Sequence, residues 1–319
     1  MKITLLFLLT LLLCGCSAQA EEISEPTIPS TSIVETLSVE EEALALALPP
    51  DPASPVVLEC TAPGLDAAVS DWAVVDWSNA ADGYIMVRFT AETAKRLKLR
   101  LIRQTTYTYN LEPQEWTVFP LSDGDGDYQV ILYQNTSGNQ YAKLMSTSFH
   151  VDLEDEFVPF LRPNQYVNYA CSPDTLALGQ RLCTGITAPL EKVAAVYDYV
   201  VTNLSYDYDK AATVKSGYLP DLDQVLAAKK GICFDYAALM TAILRSQQVP
   251  CKLVVGYAGS TYHAWISVWT QENGWIDGVI FFDGQTWKRM DPTFASSQNQ
   301  SPEILDFIEN GTYTAKYLY

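Results

Sequence analysis

Apolar residues follow two different periods along this 319-residue chain, and the change of period divides its folded part into two regions. In the first region, short runs rich in β-branched and aromatic residues are separated by turn residues. In one run, Leu97, Leu99 and Leu101 alternate with basic residues, as in a half-buried strand. Regular short strands of this kind predict a β-sandwich domain over residues 59–165. The predicted strands are Trp72–Trp77, Tyr84–Phe89, Leu97–Ile102, Thr105–Tyr109 and Tyr128–Tyr133.

From Pro189 onward the apolar residues instead recur with a helical period. They predict an amphipathic helix up to Leu204, with Pro189 in its first turn. A second helix is predicted over Pro220–Lys230, because two lysines occupy its last turn and Gly231 follows. An apolar helix and further strands come next, so residues 166–319 are expected to form a second domain that contains both helices and strands.

Three residues of this second region have the side chains that thiol acyl transfer requires. Cys233 lies at the predicted N-terminus of the apolar helix, where the positive end of the helix dipole favours a thiolate. His263 opens an alternating strand and would act as the base, and Asp291 at the end of another strand would orient the imidazole. The chain has only two histidines, and His150 lies on a predicted edge strand of the first region. The choice of base is therefore nearly forced.

The ordered motifs of the second region resemble the transglutaminase-like superfamily, over about the C-terminal half of the chain. The resemblance implies a papain-like α+β fold with Cys233 as nucleophile, His263 as base and Asp291 as the orienting acid. It implies a structural role for Asp235, two residues after the cysteine. The superfamily includes cross-linking enzymes, peptidases, amidases and inactive relatives, so the reaction stays open. The matching motifs are Gly-x-Cys-x-Asp-x-Ala at 231–237, Val255-Gly256-Tyr257, His263-Ala264-Trp265 and Asp291-Pro292-Thr293.

Aromatic residues beside these motifs have two interpretations. Tyr206 follows the first predicted helix, where superfamily members often carry a tyrosine near the active cleft, but core packing is favoured. Trp265 and the tryptophans after it could pack on a sheet face or could wall the cleft and exclude water from it.

The N-terminal residues predict export. A basic start and the short apolar run Ile3–Leu13 predict a signal peptide over residues 1–20, since the run is too short to span a bilayer. The box Leu-Cys-Gly-Cys that ends at Cys16 resembles a bacterial lipoprotein cleavage site and favours a lipid-anchored protein at the bacterial cell surface. Cleavage after Ala20, with secretion, is the alternative. Residues 21–58 are rich in Glu, Ser, Thr and Pro and contain no basic residue, which predicts a disordered acidic linker.

A formal charge of −18 argues against nucleic acid as a partner and against adhesion to anionic lipids, so membrane contact is expected only through the lipid anchor. Neither a nucleotide-binding glycine pattern nor a Cys-x-x-Cys pair occurs, and no cofactor or metal is expected. The run Asp123–Asp127 alternates aspartate with glycine and could bind calcium, but it lacks the bidentate glutamate and is interpreted as a turn.

Four other cysteines of the exported part allow three complete disulfide pairings. Cys171 and Cys183 are the first pair to expect because they lie near each other in sequence, while Cys251 could equally be a small buried residue. The remaining candidate is Cys60.

Together these patterns predict a monomeric, surface-tethered thiol enzyme with a protein or peptide substrate. It would attack amide or peptide carbonyls, and hydrolysis is slightly favoured over protein cross-linking because it needs no site for an amine. The rival interpretation is a non-enzymatic envelope protein that binds a polymer or partner through the β region.

Overall fold

The computed structural model describes residues 53–277, 280–282, 287–289 and 312–319. Cys16 and Asp291 lie outside the described residues, as do the predicted signal peptide and most of the predicted linker. All described residues belong to one compact unit that begins at Pro50. None of the helices in this described part is both long and apolar enough to cross a membrane.

The first region contains two antiparallel sheets of four strands each. The strands are β1 (Ala67–Val69), β2 (Ala73–Asp76), β3 (Tyr84–Phe89), β4 (Leu97–Ile102), β5 (Thr106–Leu111), β6 (Trp116–Pro120), β7 (Gly126–Ser137) and β8 (Gln140–Val151). One sheet has the order β1-β2-β3-β6 and the other β5-β4-β7-β8. Aromatic pairs join the two sheets: the rings of Tyr109 and Phe119 are 4.7 Å apart, and those of Trp77 and Phe149 are 5.1 Å apart. That residues 59–165 form a sandwich domain of their own stays a prediction.

The predicted strands of this region are confirmed where the alternation is strong. β3 and β4 match the prediction residue for residue, and Leu97, Leu99 and Leu101 are buried. β1, β6 and most of β8 were missed. β8 is an edge strand that buries only Phe149 and Val151, so its polar sequence carries little alternation.

The aspartate-glycine run turns into β7, whose first two residues are Gly126 and Asp127, and its carboxylates accept hydrogen bonds from the protein. Asp123 accepts from the Thr105 N–H at 2.7 Å, and Asp125 accepts from the Leu153 N–H at 2.8 Å. Asp127 contacts His150 at 2.7 Å, and this hydrogen bond raises the pKa of that exposed histidine. His150 lies on the edge strand β8, as predicted.

The second region mixes helices and strands, so the described residues form an α+β fold. Its helices are α1 (Pro173–Cys183), α2 (Pro189–Asn203), α3 (Tyr208–Thr213), α4 (Leu222–Ala228) and α5 (Cys233–Ser246). Its strands are β9 (Ser205–Tyr206), β10 (Lys230–Gly231), β11 (Cys251–Ala258), β12 (Thr261–Thr270), β13 (Gly274–Asp277), β14 (Ile280–Phe282), β15 (Trp287–Arg289) and β16 (Tyr313–Leu318). Short 3₁₀ helices occupy Ala80–Asp82, Val158–Phe160 and Tyr169–Cys171.

Helix α5 is the centre of this region. Every residue from Asp235 to Ser246 is buried, and the helix contacts β11, β12, α1 and α2. β11 and β12 belong to an antiparallel sheet with the order β13-β12-β11-β16. A helix that is apolar on all sides is stable only when other elements surround it, as they do around α5.

The helix predicted over Pro220–Lys230 is shorter than expected. α4 begins after Asp221, whose carboxylate accepts the Gln224 N–H at 3.0 Å, and it ends at Lys229 in the left-handed conformation (φ 49°). Gly231, expected to end this helix, lies instead in β10, which pairs with β9. A Cβ atom at Gly231 would lie 2.8 Å from the Cβ of Asp235, so glycine permits this close approach to α5.

The expected Cys171–Cys183 disulfide is wrong. All five cysteines in the described part of the chain are free thiols. Cys171 and Cys183 lie at opposite ends of α1, which is 11 residues and hence about 16 Å long. A disulfide requires Cα atoms within roughly 7 Å. Cys251 is fully buried, and burial raises its pKa to about 11.

The C-terminal end of α5 is fastened to three other segments by Arg245, which is completely buried. Its guanidinium donates to the carbonyls of Cys251 at 2.9 Å, Arg162 at 2.7 Å and Tyr319 at 2.6 Å. Burial lowers the pKa of Arg245 to about 10, so the group stays charged at neutral pH. The last residues of the predicted linker pack nearby, where the Val56 N–H donates to the Ser246 carbonyl at 2.8 Å.

Candidate active site

Cys233 is the first residue of α5 and lines a cleft of about 500 Å³. The prediction that a helix begins at this cysteine is confirmed. The side chain is half-buried, so the thiol has both a protein environment and access to the cleft. His263 lines the same cleft from strand β12, so the fold brings together two of the three residues that the sequence singled out. Asp291 lies outside the described residues.

The start of α5 is fixed by Asp235, which lies in the first turn of the helix and is completely buried. Its carboxylate accepts the Ile232 N–H at 2.8 Å and the Tyr218 hydroxyl at 2.6 Å, and it forms an ion pair with Lys210 at 2.6 Å. Lys210 balances the negative charge of Asp235, which lies two residues after Cys233. The positive end of the helix dipole also favours a negative group at this N-terminus. Burial is the main cause that raises the pKa of Tyr218, and the hydrogen bond to Asp235 raises it further. These contacts agree with the structural role expected for Asp235.

His263 is buried on β12, where it pairs with Gly256 of β11. Its ring centroid lies 6.3 Å from that of Trp265 and 6.4 Å from that of Tyr313. Gly256 has no room for a side chain, because a Cβ atom there would lie 2.9 Å from Trp265 and 3.0 Å from the Cα of Ala315. Glycine in the Val-Gly-Tyr motif thus lets β16 pack closely beside the histidine.

The walls of the cleft are rich in tyrosine, which the sequence reasoning did not foresee. Trp265, expected as a possible wall, is buried against Tyr313 at 5.3 Å and is absent from the lining residues. Tyr206, for which core packing was favoured, is half-buried and lines the cleft. Burial raises its pKa to about 12, so its hydroxyl is neutral at physiological pH. The lining tyrosines are Tyr166, Tyr206, Tyr218, Tyr262, Tyr317 and Tyr319.

The first region also contributes to the cleft. Lys98 of β4 and the residues Thr108 and Asn110 of β5 line it together with residues of the second region. The Lys98 ammonium donates to the Asn110 side-chain carbonyl at 3.1 Å. No local signal in these strands marks the residues as part of a site, because the alternation of β4 assigns Lys98 only to the face away from the core.

The arrangement provides the elements of thiol chemistry. A cysteine at a helix N-terminus and an imidazole share one cleft, and tyrosine rings form much of its lining. An imidazole is a base suited to a thiol at neutral pH.

Comparison with known proteins agrees with the family expected from the motifs. Residues 176–278 match the family model described as Transglutaminase-like superfamily. The match contains Cys233 and His263 and ends before Asp291.

Two curated bacterial relatives are similar over short stretches. The uncharacterized protein YebA of Bacillus subtilis is 28% identical over 105 residues, which are 27% of this chain and 14% of that protein. A protein-glutamine gamma-glutamyltransferase of Pseudomonas aeruginosa is 29% identical over 68 residues, 17% of this chain and 10% of that protein. The chain thus spans about a seventh or less of the length of these relatives.

A crystal structure from Cytophaga hutchinsonii, provisionally titled as a cysteine protease, is 17% identical with a TM-score of 0.35. The matched residues make up 66% of this chain and 78% of the Cytophaga chain.

Proposed function

We propose that the transglutaminase-like domain, residues 176–278, is the core of a cysteine-dependent enzyme that acts on amide or peptide carbonyls. The observation that carries the proposal is the single cleft lined by both Cys233, at the start of α5, and His263, on β12. Asp291 completes the proposed triad by orienting the imidazole.

In the proposed reaction, the Cys233 sulfur attacks the substrate carbonyl carbon while His263 accepts the thiol proton. The backbone N–H of Cys233 helps to stabilise the oxyanion, since it lies among the unpaired donors of the first helical turn. The amine leaves with the proton that His263 returns, and an acyl-thioester remains on Cys233. Attack by water then releases the acid and restores the thiol.

Hydrolysis is favoured over cross-linking because water needs no binding site, whereas an amine must be bound and held neutral. The Pseudomonas relative is named for glutamine gamma-glutamyl transfer, which makes cross-linking the second candidate. Both reactions form the same acyl-thioester and differ only in the nucleophile that attacks it.

The test offers the purified full-length chain a peptide library and glutamine-bearing proteins, with and without a tagged primary amine. We expect amide cleavage to exceed amine incorporation. His263→Ala should abolish turnover, Asp291→Asn should lose most of it, and the matched control His150→Ala should leave it unchanged. An active His263→Ala variant would exclude the proposed triad, and faster amine incorporation would overturn only the choice of hydrolysis.

We also propose that the enzyme is exported and held at the bacterial cell surface by lipid on Cys16. Cys16→Ser should then leave the protein soluble or as an uncleaved precursor, measured by fractionation and N-terminal sequencing. A wild-type mature N-terminus at Glu21 would instead mean simple secretion.

The rival function is a non-enzymatic envelope protein that binds a polymer or partner through the β region. Its two sheets would carry the binding surface and the second region would serve as scaffold. A scaffold does not need a reactive thiol, so slow alkylation of Cys233 would favour this rival.

A further inference from the structure

The cleft that holds Cys233 differs in charge from the protein around it. The whole chain contains 38 acidic and 20 basic residues. The residues that line the cleft nevertheless include Lys98 and Lys215 and, within the described part of the chain, no aspartate or glutamate. The cleft is therefore a basic site within a strongly acidic protein, and this contrast suggests what its substrate carries.

Lys98 is held in place at the cleft by the first region. It is half-buried on β4, and its ammonium donates to the Asn110 side-chain carbonyl at 3.1 Å and lies 5.8 Å from the ring centroid of Tyr141. Among the described residues, no carboxylate lies within ion-pair distance of this ammonium. One of its hydrogen bonds orients it, and its charge remains available to an anion.

Lys215 approaches the same cleft from the second region. It is exposed on the segment between α3 and α4, and it too forms no ion pair with any described residue. Two residues later, Gly217 adopts a left-handed conformation (φ 88°) against the Asn110 amide, where a side chain would not fit. Asn110 thus contacts both Lys98 and the segment that carries Lys215.

The other polar groups of the cleft are suited to the same type of ligand. Burial raises the pKa of both Tyr166 and Tyr206 to about 12, so their hydroxyls stay protonated and can donate hydrogen bonds. Ammonium and phenol donors together match the acceptor-only oxygens of a carboxylate.

The adjoining cavity has the opposite charge. It measures about 570 Å³ and meets the cleft at Asn110 and Gly217, which line both. Its lining includes Glu59, Glu112 and Glu115 and, among the described residues, no lysine or arginine. An anionic group would be repelled from this cavity and attracted to the lysines on the other side of Asn110.

We propose that Lys98 and Lys215 bind a carboxylate of the acyl donor, so that the enzyme selects acidic peptides or other carboxylate-bearing amides. The inference rests on the proposed function of Cys233, whose substrate class it specifies. Lys98 and Lys215 are specificity residues, since they contact the substrate away from the reacting carbonyl.

The test uses two alkylating reagents of nearly equal size on the purified full-length chain. Iodoacetate carries a carboxylate and iodoacetamide is neutral, and both transfer a carbon to the Cys233 sulfur while iodide leaves. The ratio of their second-order rate constants at Cys233, measured by mass spectrometry, reports the attraction of an anion to the cleft. The ratio cancels any change in the reactivity of the thiol itself.

We expect Lys98→Gln and Lys215→Gln each to lower the iodoacetate-to-iodoacetamide ratio by about threefold, and the double variant by about tenfold, because each removes one positive charge that has no ion-pair partner among the described residues. Salt at 0.5 M should reduce the wild-type ratio toward that of the double variant. Lys98→Arg, which keeps the positive charge, should keep the wild-type ratio. The matched control is Lys143→Gln, an exposed lysine on β8 that lines neither cavity.

An unchanged ratio in the double variant, or an equal fall in Lys143→Gln, would overturn the proposal. These outcomes differ from a failure of the proposed function, in which Cys233 would react slowly with both reagents. A second arm compares turnover of peptides that differ only by Glu or Gln near the scissile amide. The double variant should have a KM about tenfold higher for the Glu peptide. Its ratio of kcat/KM for the Glu peptide to kcat/KM for the Gln peptide should be near one.

Discussion

The two ends of helix α5 each hold a completely buried charged side chain, but the two side chains have different kinds of partner. At the N-terminal end Asp235 has an ion pair with Lys210 and lies beside Cys233. At the C-terminal end the Arg245 guanidinium donates to backbone oxygens of three separate segments. The first arrangement fixes the start of the helix and the Cys233 thiol at the cleft, and the second fastens the end of the helix to the rest of the fold. The two ends of one helix thus hold different parts of the molecule in place.

The largest expected effect on stability comes from the structural end. Arg245→Ala removes three hydrogen bonds to backbone oxygens, and charge-assisted hydrogen bonds contribute roughly 1.5–3 kcal/mol each. We expect the free energy of unfolding to fall by about 5 kcal/mol, measured by urea denaturation. Arg245→Lys keeps the charge but cannot reach all three carbonyls, and it should lose about half as much. A loss below about 1 kcal/mol in Arg245→Ala would show that the guanidinium does not fasten these segments.

A smaller effect on stability, together with an effect on the thiol, is expected at the other end. Asp235→Asn removes the ion pair with Lys210, and we expect it to lower the free energy of unfolding by about 2–3 kcal/mol, since Lys210 is partly exposed. The same change should alter the alkylation rate of Cys233 in protein that remains folded, because Asp235 fixes the first turn of α5. Arg245→Lys is the control: it should leave the rate of Cys233 in folded protein within about twofold. Equal effects of both variants on that rate would remove the distinction between the two ends.

Much of this helix could be predicted from the sequence, but the partners of its charges could not. The start of α5 at Cys233 and the strands β3 and β4 follow local patterns, namely a helix N-terminus and strict alternation. Lys210 and Tyr218 reach Asp235 across two intervening segments, and Lys98 reaches the cleft from more than 100 residues away. Such contacts depend on the tertiary fold and leave no periodic signal.

The tyrosines of the cleft were missed for the same reason. Tyr317 lies on β16 and Tyr319 follows directly after it. β16 pairs with β11 beside the site. The Cys171–Cys183 pairing was wrong because nearness in sequence was taken for nearness in space, and a straight helix separates the two thiols. Gly256, by contrast, was part of a recognised motif, and its role in the close packing of β16 became clear only from the structure.

The smallest expected effect concerns alkaline pH and the structural end of α5. Burial raises the pKa of Cys251, whose carbonyl Arg245 contacts, to about 11. Below pH 9 its thiol is protonated in both states, and above pH 9 only the unfolded chain ionises. The stability that this thiol contributes is therefore lost as the pH rises toward 11, by about 2 kcal/mol between pH 8 and 10.5. Cys251→Ala should flatten the fall in unfolding free energy over this range relative to wild type. The control variant Cys171→Ala, which removes an exposed thiol, should leave this fall as steep as in wild type. A fall in Cys251→Ala as steep as in wild type would show that Cys251 is not its source.

The central claim is that the N-terminal end of α5 holds a nucleophile, and the alkylation of all cysteines at pH 6 tests it most directly. The other described thiols are built-in controls. Cys171 is exposed, while burial raises the pKa of Cys60 and Cys251 to about 11 and also raises that of Cys183.

Native protein is treated with a small alkylating reagent at pH 6, and each cysteine peptide is quantified over time by mass spectrometry, beside a denatured sample. We predict that Cys233 is labelled at least tenfold faster than Cys171 and faster than in the denatured chain, and that His263→Ala removes this advantage. Labelling of Cys233 no faster than in the denatured chain would contradict the account.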